Sequence, residues 1–598
     1  RLKPGVSREQ ATAAVAAVAR NLAQRHPEAH GGGFTARADP IESRYTGDIK
    51  PALLVLLGAV AFVLLIACAN VSNLLLARAT DRQREIAVRA SLGASRGRLV
   101  AQLLTESLVL ALAGGALGVA LAVWGVDALL GLFPTAIANV AIPRMDQIQV
   151  DGPVLVFALA LSVATGLLFG LFPALQTARV ATAESLREGG RGSTESPRSR
   201  RFRSGLVVSE FALALVLTTG AALLIRSFLR LSGGDLGFDA RGVTTARLML
   251  PDYKYEGPEK KRAFAQAVIE RVRALPGVEA AGATTFVPLS GWHGNRAVEV
   301  EGRPPAAPED RLRAEFRSID EGFFSALRIP LRQGRTFTPD DREGAPAVAV
   351  VNEAFVRRFF PGQDPLGRRF EMQVAQLRPA ALQVTPQWRQ IVGVVGDIRH
   401  FGLAQEAEPE VYLPYAQEPV ALVSLVVRTR PGLDVAAGLR QAVWSVDRDQ
   451  PVLALLPLEQ LAAESVTLRR VSTILLGGLA GVALFLAALG IYGVMAHSVA
   501  RRTHEIGVRM AVGARARDVI GLVLREGGRL AGLGAALGLL AALALTRLME
   551  SLLFGVSPTD PVSFAAVAAF LFLCALLGCW LPARRAARVD PVVALRYE

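Results

Sequence analysis

The sequence predicts a polytopic α-helical membrane protein with one large α+β domain outside the bilayer. Three observations predict it: seven apolar runs of membrane-spanning length, an Arg distribution that alternates from one inter-span segment to the next, and a long segment of mixed composition, 226–470. Composition agrees, because 52% of the 598 residues are hydrophobic and 20% charged, with a mean hydropathy of +0.36. Soluble domains are less apolar and more charged, and disordered chains far more polar. Three cysteines exclude a disulfide framework and a four-thiolate metal centre. Cys68, Cys574 and Cys579 lie inside apolar runs and read as small buried hydrophobes.

About 20 apolar residues are needed to cross a hydrocarbon core ~30 Å thick. Runs 52–77, 101–132, 153–178, 205–225, 471–498, 520–546 and 561–582 meet that length. The first, third and last carry no charge, whereas a core helix of a soluble protein keeps a polar stripe. Arg and Lys in short loops stay on the cytoplasmic side. Segments 78–98, 179–204, 501–517 and the tail after 582 are Arg-rich and are placed inside; 133–152 and 547–560 hold only Arg144 and Arg547 as bases and are placed outside. The +14 net charge is therefore mostly topological and faces anionic headgroups. A nucleic-acid role would need a soluble basic face with stacking aromatics, and the sequence has none.

By the same alternation 226–470 lies outside. Runs 348–352, 391–395 and 422–427 are β-branched and bounded by turn residues, while 259–275, 352–360 and 434–446 have helical spacing. An α+β fold with mixed sheets follows, without its strand order.

The chain is internally duplicated. A shift of 420 places Glu85-Ile-Ala-Val-Arg-Ala-Ser-Leu-Gly-Ala94 on Glu505-Ile-Gly-Val-Arg-Met-Ala-Val-Gly-Ala514, Glu106 on Glu526, Gly114 on Gly534 and Gly118 on Gly538. A shift of 409 pairs Asp151 with Asp560, Pro173-Ala174 with Pro582-Ala583, and Leu186-Arg187 with Leu595-Arg596. Arg1-Leu-Lys-Pro-Gly5 resembles Arg428-Thr-Arg-Pro-Gly432, so residues 1–50 are expected to be the end of a first outer domain, with an opening span and about 220 residues upstream.

Each repeat carries one short cytoplasmic helix of defined design. Glu85/Arg89 and Glu505/Arg509 are i,i+4 pairs in the favourable order, and Gly93 and Gly513 stand where a left-handed residue ends a helix. Ile86 and Ile506 are expected to be exposed, for lipid or for a partner. A headgroup-lying connector fits one such helix; its duplication favours a partner surface.

Catalytic patterns are absent from the sequence. No Lys precedes Ser or Thr, so there is no G-x-x-x-x-G-K-[ST] phosphate loop. His504-Glu505 lacks the second His of H-E-x-x-H, and Gly555-Val-Ser-Pro-Thr559 lacks the closing Gly of a nucleophile elbow. His26, His30, His293, His400 and His497 show no metal-ligand spacing, so no cofactor or metal is expected. Gly114/Gly118, Gly166/Gly170, Gly477/Gly481 and Gly534/Gly538 are small-x-x-x-small pairs, expected to pack helices closely. Of the ionisable residues in or near spans, Glu106, Asp127, Glu210, Glu526 and Arg529 mostly lie near span ends, where snorkelling or capping accounts for them. Asn70, Ser72 and Asn73 are expected to hydrogen-bond between helices near the inner face.

The pattern Arg-x-x-Glu-Ile-x-Val-Arg-x-x-x-Gly-Ala, the span order and the endings Pro173-Ala…Ala178-Arg and Pro582-Ala…Asp590-Pro…Ala594-Leu-Arg resemble the FtsX-like ABC permeases. Segment 230–468, with Val394-Val-Gly-Asp-Ile-Arg399 and Glu410-Val-Tyr-Leu-Pro414, resembles a MacB-type periplasmic core domain, and the whole resembles duplicated orphan permeases of acidobacterial type. The resemblance implies FtsX-like units at 51–180 and 469–598, the latter including a cytoplasmic tail. It also implies an Arg-rich cytoplasmic linker at 181–204, a first span of the second unit at 205–229, and the outer domain at 230–468. It implies coupling helices at Glu85, Ile86, Arg89, Leu92 and Gly93, and at Glu505, Ile506, Arg509, Val512 and Gly513. These would engage a separate cytoplasmic ATPase dimer, which would bind the ATP. A bacterial inner-membrane location and work on peptides, lipoproteins or drugs, with a periplasmic adaptor, are implied likewise. The missing opening puts in question whether this chain alone assembles a permease pair. The alternative is a membrane-anchored scaffold or sensor whose outer domain binds a partner without ATP-driven work.

Overall fold

The computed structural model describes residues 2–25, 35–41, 49–81, 85, 89, 92, 95–131, 150–183, 197–304, 311–378 and 381–587. Ile86, Gly93, most of the segment 133–152, the linker 184–196 and the tail from 588 lie outside the described residues. The chain divides into two compact units: Gly47–Arg230 with Leu468–Glu598, and Arg1–Thr46 with Leu231–Thr467.

The first unit is helical. Its elements are α2 (Lys50–Asp81), α3 (Arg96–Gly131), α4 (Gly152–Ala183), α5 (Pro197–Ser232), α11 (Thr467–Arg501), α12 (Thr503–Ala511), α13 (Ala516–Leu545) and α14 (Pro561–Ala586), with a 3₁₀ turn Thr546–Leu552 before α14. Five of the seven predicted spans fall inside one of these helices; 520–546 runs one residue into the 3₁₀ turn, and the last residue of 101–132 lies outside the described residues. Six of the described helices are long and apolar enough to cross a bilayer, and Gly152–Leu168 of α4 is a shorter apolar stretch. The last helix of each repeat starts the same way: Asp151 Oδ1 accepts from the Val154 amide at 3.1 Å, and Asp560 Oδ2 accepts from the Ser563 amide at 2.9 Å. A side-chain acceptor there satisfies one of the orphan amides of the first turn.

Small residues bring the paired helices together. In the first repeat a Cβ on Gly170 of α4 would lie 2.8 Å from Ser107 Cβ of α3, and one on Gly166 2.7 Å from Ala111 Cβ. At the repeat-equivalent place of α13 and α14, a Cβ on Gly527 would collide with Cys579 Sγ. Gly534 and Gly538 receive α5, since added Cβ atoms would stand 2.7 Å from Phe211 Cβ and 2.8 Å from the Ala212 carbonyl oxygen. Close packing of the helix backbones accounts for these glycines. Gly114, Gly118, Gly477 and Gly481 depart from the expectation, because nothing lies within 4 Å of a Cβ on any of them. A small-residue pair permits close approach; it does not supply the neighbour. Cys68 and Cys579 are buried and Cys574 half-buried.

The second unit begins with α1 (Arg8–Arg25). Gly5, before it, has φ 85°, and Gly432, at the same place in the matching stretch, has φ 83°. The rest runs β1 (Val243–Met249), α6 (Pro258–Arg273), β2 (Val278–Thr284), β3 (Asn295–Val300), β4 (Arg313–Ile319), α7 (Phe323–Leu327), β5 (Leu331–Gly334), β6 (Val348–Asn352), α8 (Glu353–Phe359), β7 (Arg369–Arg378), β8 (Ala381–Val395), β9 (Glu410–Pro414), β10 (Leu422–Thr429), α9 (Ala436–Val446), β11 (Leu453–Pro457) and α10 (Leu458–Ser465). Two sheets' worth of strands join in one. An open antiparallel part runs β11-β1-β10-β2, with α6 and α9 buried against it through Phe264, Val268, Val272, Leu439 and Val443. The strands β4-β3-β7-β8-β6-β9 close into a ring, because β4 also pairs with β9 in parallel. The two parts meet at one residue pair, Thr284 with Ile319.

Alternation on β9 sorts its side chains. Val411 and Leu413 enter one apolar cluster with Phe355 and Phe370; Tyr412 enters another with Phe323 and Val350. Beside Tyr412 lies a buried ionic group: Arg317 pairs with Glu410, whose other oxygen accepts from Tyr412 Oη at 2.7 Å. His400 is buried close by, its Nε2 donating to the Trp292 carbonyl at 2.8 Å. Burial, and next the Arg317 charge, push its imidazole down to about 2.

Candidate coupling site

In the second repeat the loop helix α12 is nine residues long and is fixed at both ends. At its start Arg502 donates to Glu526 of α13 at 3.0 Å, each side chain about 30% exposed. At its end the Ala514 amide bonds the Arg509 carbonyl at 2.9 Å and the Gly513 amide bonds the Met510 carbonyl at 3.1 Å. That pair of bonds, with Gly513 at φ 108°, is a Schellman cap. A residue with a Cβ is disfavoured at such a backbone angle, which is why glycine stands there. Asp518 then accepts from the Arg515 amide at 2.9 Å and starts α13.

Between these ends the Glu505–Arg509 pair forms at 2.5 Å with both side chains half-exposed. Such a surface pair contributes ~0.3–0.5 kcal/mol and orders the helix rather than anchoring it. Ile506 is the anchor. It is 3% exposed and packs with Val519 of α13, flanked by Val499 and Met510. The expectation that Ile506 is exposed is therefore wrong: Ile506 and Met510 form the i,i+4 stripe of a short amphipathic helix, and that stripe faces protein. Val508 on the other side is 39% exposed, and Val512, at the C-terminal turn, is 84% exposed.

The first repeat shows the same features where it is described. Glu85 and Arg89 pair at 2.5 Å, and Arg89 also donates to Gln102 Oε1 at 3.0 Å. Leu92, the counterpart of Val512, is 82% exposed in a turn. Both loops thus present a branched apolar side chain just before the glycine. The sequence reading missed Arg502 and Val519; the signal for Val519 was its place three residues into an apolar-periodic helix, facing the Ile506 stripe.

Inside the bundle one ionisable residue departs from the span-end reading. Glu210 of α5 is 1% exposed, and its carboxylate lies against Gly490 of α11 and the side chain of Asn70, so it does not snorkel. Asn70 crosses between helices as expected, donating to the Leu486 carbonyl at 2.9 Å. Ser72 and Asn73 are buried. Among the described residues no group of three His, Cys, Asp or Glu side chains is placed to hold a metal ion.

Two repeated apolar helix bundles, a large α+β outer domain and two loops with matching Glu–Arg pairs define a multi-pass membrane protein of permease type. The family model for the FtsX-like permease C-terminal region matches twice, at 57–181 and 477–591, and that for the MacB-like periplasmic core domain matches 204–442. The chain belongs to the MacB/FtsX-like ABC permease family. MacB of Marinobacter nauticus, a macrolide export ATP-binding/permease protein, is 29% identical over 328 residues, covering 50% of this chain and 48% of that one. MacB of Sodalis glossinidius is 31% identical over 293 residues, 47% and 43% of the two chains. YvrN of Bacillus subtilis, an uncharacterized ABC transporter permease, is 26% identical over 302 residues, 47% and 69%. The matches take in about half of this chain and less than half of either MacB.

Proposed function

We propose that the chain is the non-catalytic permease subunit of an ABC system in a bacterial inner membrane. A separate cytoplasmic ATPase dimer docks on the two loops and moves the outer domain, which acts on a peptide, lipoprotein or drug, alone or with a periplasmic adaptor. The observation that carries the reading is the pair Leu92 and Val512, exposed apolar side chains at repeat-equivalent positions. The Val512 turn is itself fixed by a glycine cap and the Arg502–Glu526 bond. An exposed branched side chain on a fixed turn is a contact through which displacement passes with little loss to side-chain or loop motion. Glu505 and Arg509, with Glu85 and Arg89, hold the helices and lie at the rim of the surface. In this reading the partner hydrolyses the ATP, which fits a sequence in which no Lys precedes Ser or Thr.

The test is co-purification and ATP turnover of the ATPase encoded nearest this chain, with the chain in nanodiscs. Loss of both on Leu92→Ser plus Val512→Ser, with unchanged insertion, supports the reading. Unchanged binding and turnover overturn it in favour of a scaffold that works without ATP.

A further inference from the structure

The two repeats share sequence at one helix face and differ in what covers it. On α13, Ala531, Gly534, Gly538 and Ala542 are all buried, and α5 is the helix seated on Gly534 and Gly538, with Phe211 and Ala212 at the contact. The equivalent positions on α3 are Ala111, Gly114, Gly118 and Ala122. Ala111 is half-buried against Gly166, whereas Gly114, Gly118 and Ala122 are exposed.

A second contact of α5 repeats the pattern at the other end of the bundle. Arg226 of α5 pairs with Asp560, the residue that caps α14. Asp151 caps α4 with the same geometry and is exposed, and no basic side chain is recorded on it among the described residues. One helix thus makes two contacts in the second repeat, at a glycine pair and at a capping aspartate. Both of their counterparts in the first repeat stand open.

We propose that Gly114, Gly118 and Asp151 form a docking surface for a further membrane-spanning helix of the α5 kind. Its chemistry is set by the occupied copy. A small residue must meet Gly118, as Ala212 meets Gly538, and a basic side chain must follow about four turns toward Asp151, as Arg226 follows Ala212, roughly 21 Å along a helix. A second copy of this chain is a poor source, because its own α5 is already seated on α13. The inference is independent of the coupling reading.

The probe is the segment Pro197–Ser232 itself, made as a peptide with Ala212→Cys and added to the full chain in nanodiscs. The chain carries Gly118→Cys, or Ala116→Cys on the opposite side of α3 as control, in a background with its native cysteines replaced by Ser or Ala. A disulfide is expected at 118 and not at 116. It should fall several-fold with Asp151→Arg in the chain and recover when the peptide also carries Arg226→Asp. Equal or absent cross-linking at 118 and 116 overturns the proposal and leaves a lipid-facing surface. A disulfide between two copies of the chain, formed without peptide, overturns it in favour of self-association. Cross-linking at 118 that ignores the charge swap overturns the Asp151 contact.

Discussion

Val512 and Ile506 sit six residues apart on one loop and should respond oppositely to truncation. Val512 is 84% exposed, so Val512→Ser removes almost no intramolecular contact and should change stability by less than ~0.5 kcal/mol. Burying a Val or Leu side chain at an interface is worth ~1.5–3 kcal/mol, and the large exposure leaves most of that available to a partner. Loss of Val512 alone should weaken ATPase binding by about tenfold, and loss of Leu92, 82% exposed, by a similar factor. The two loops belong to different repeats, so the effects should add. Ile506→Ala is the contrast: at 3% exposure it should cost ~2–4 kcal/mol of local stability. The assay is titration of the ATPase against the chain in nanodiscs, with protease sensitivity of 500–516 as the measure of local order. Wild-type affinity in the double Ser variant, or loss of binding in Ile506→Ala with an undisturbed loop, would refute the assignment of the two side chains.

Three further outcomes are expected. His400 stays neutral in the fold while an unfolded His binds a proton below about 6.5, so the unfolded state gains protons on acidification and stability falls with pH. Going from pH 7 to 5 should cost about 2 kcal/mol in denaturant unfolding followed by Trp292 fluorescence, and His400→Gln should flatten that slope. Gly538→Ala forces a Cβ to 2.8 Å from the Ala212 carbonyl and should destabilise the bundle by ~1–3 kcal/mol, whereas Gly118→Ala, which meets nothing, should be near neutral in thermal unfolding of the same chain. Single-cysteine labelling in intact cells should reach probes at Gly291 and Gly344, and probes at Ser95 and Ala516 only after permeabilisation; reversed labelling would contradict the Arg-based orientation.

The spans were legible because hydrocarbon imposes one requirement on every residue of a run, and the helices obey it. The short loop helix α12 was legible at its end, where only glycine suits the backbone angle of Gly513, and illegible at Ile506. A charge pair at Glu505 and Arg509 marks a solvated side, but nothing local says whether the neighbouring apolar stripe meets lipid, a partner or the same chain. The closed ring of strands was out of reach for a related reason. Its closure rests on β4 pairing with β9 across about ninety residues of sequence, and alternation within a strand is silent about its neighbours. Glycine pairs at 114/118 and 534/538 read identically, and only the surroundings separate them.

The contact between Gly170 and Ser107 has an inheritance written into it. In the other repeat the same place holds Cys579 against Gly527, so the bare backbone and the small side chain have changed helices. What persisted through divergence is the summed volume at one crossing, and neither helix holds it alone. Each repeat has become its own lock and key. A chimera with α3 facing α14 would set Ser against Cys where there is room for one side chain, and α13 facing α4 would set glycine against glycine over a void. The two halves of this permease, alike enough to align, can no longer trade parts.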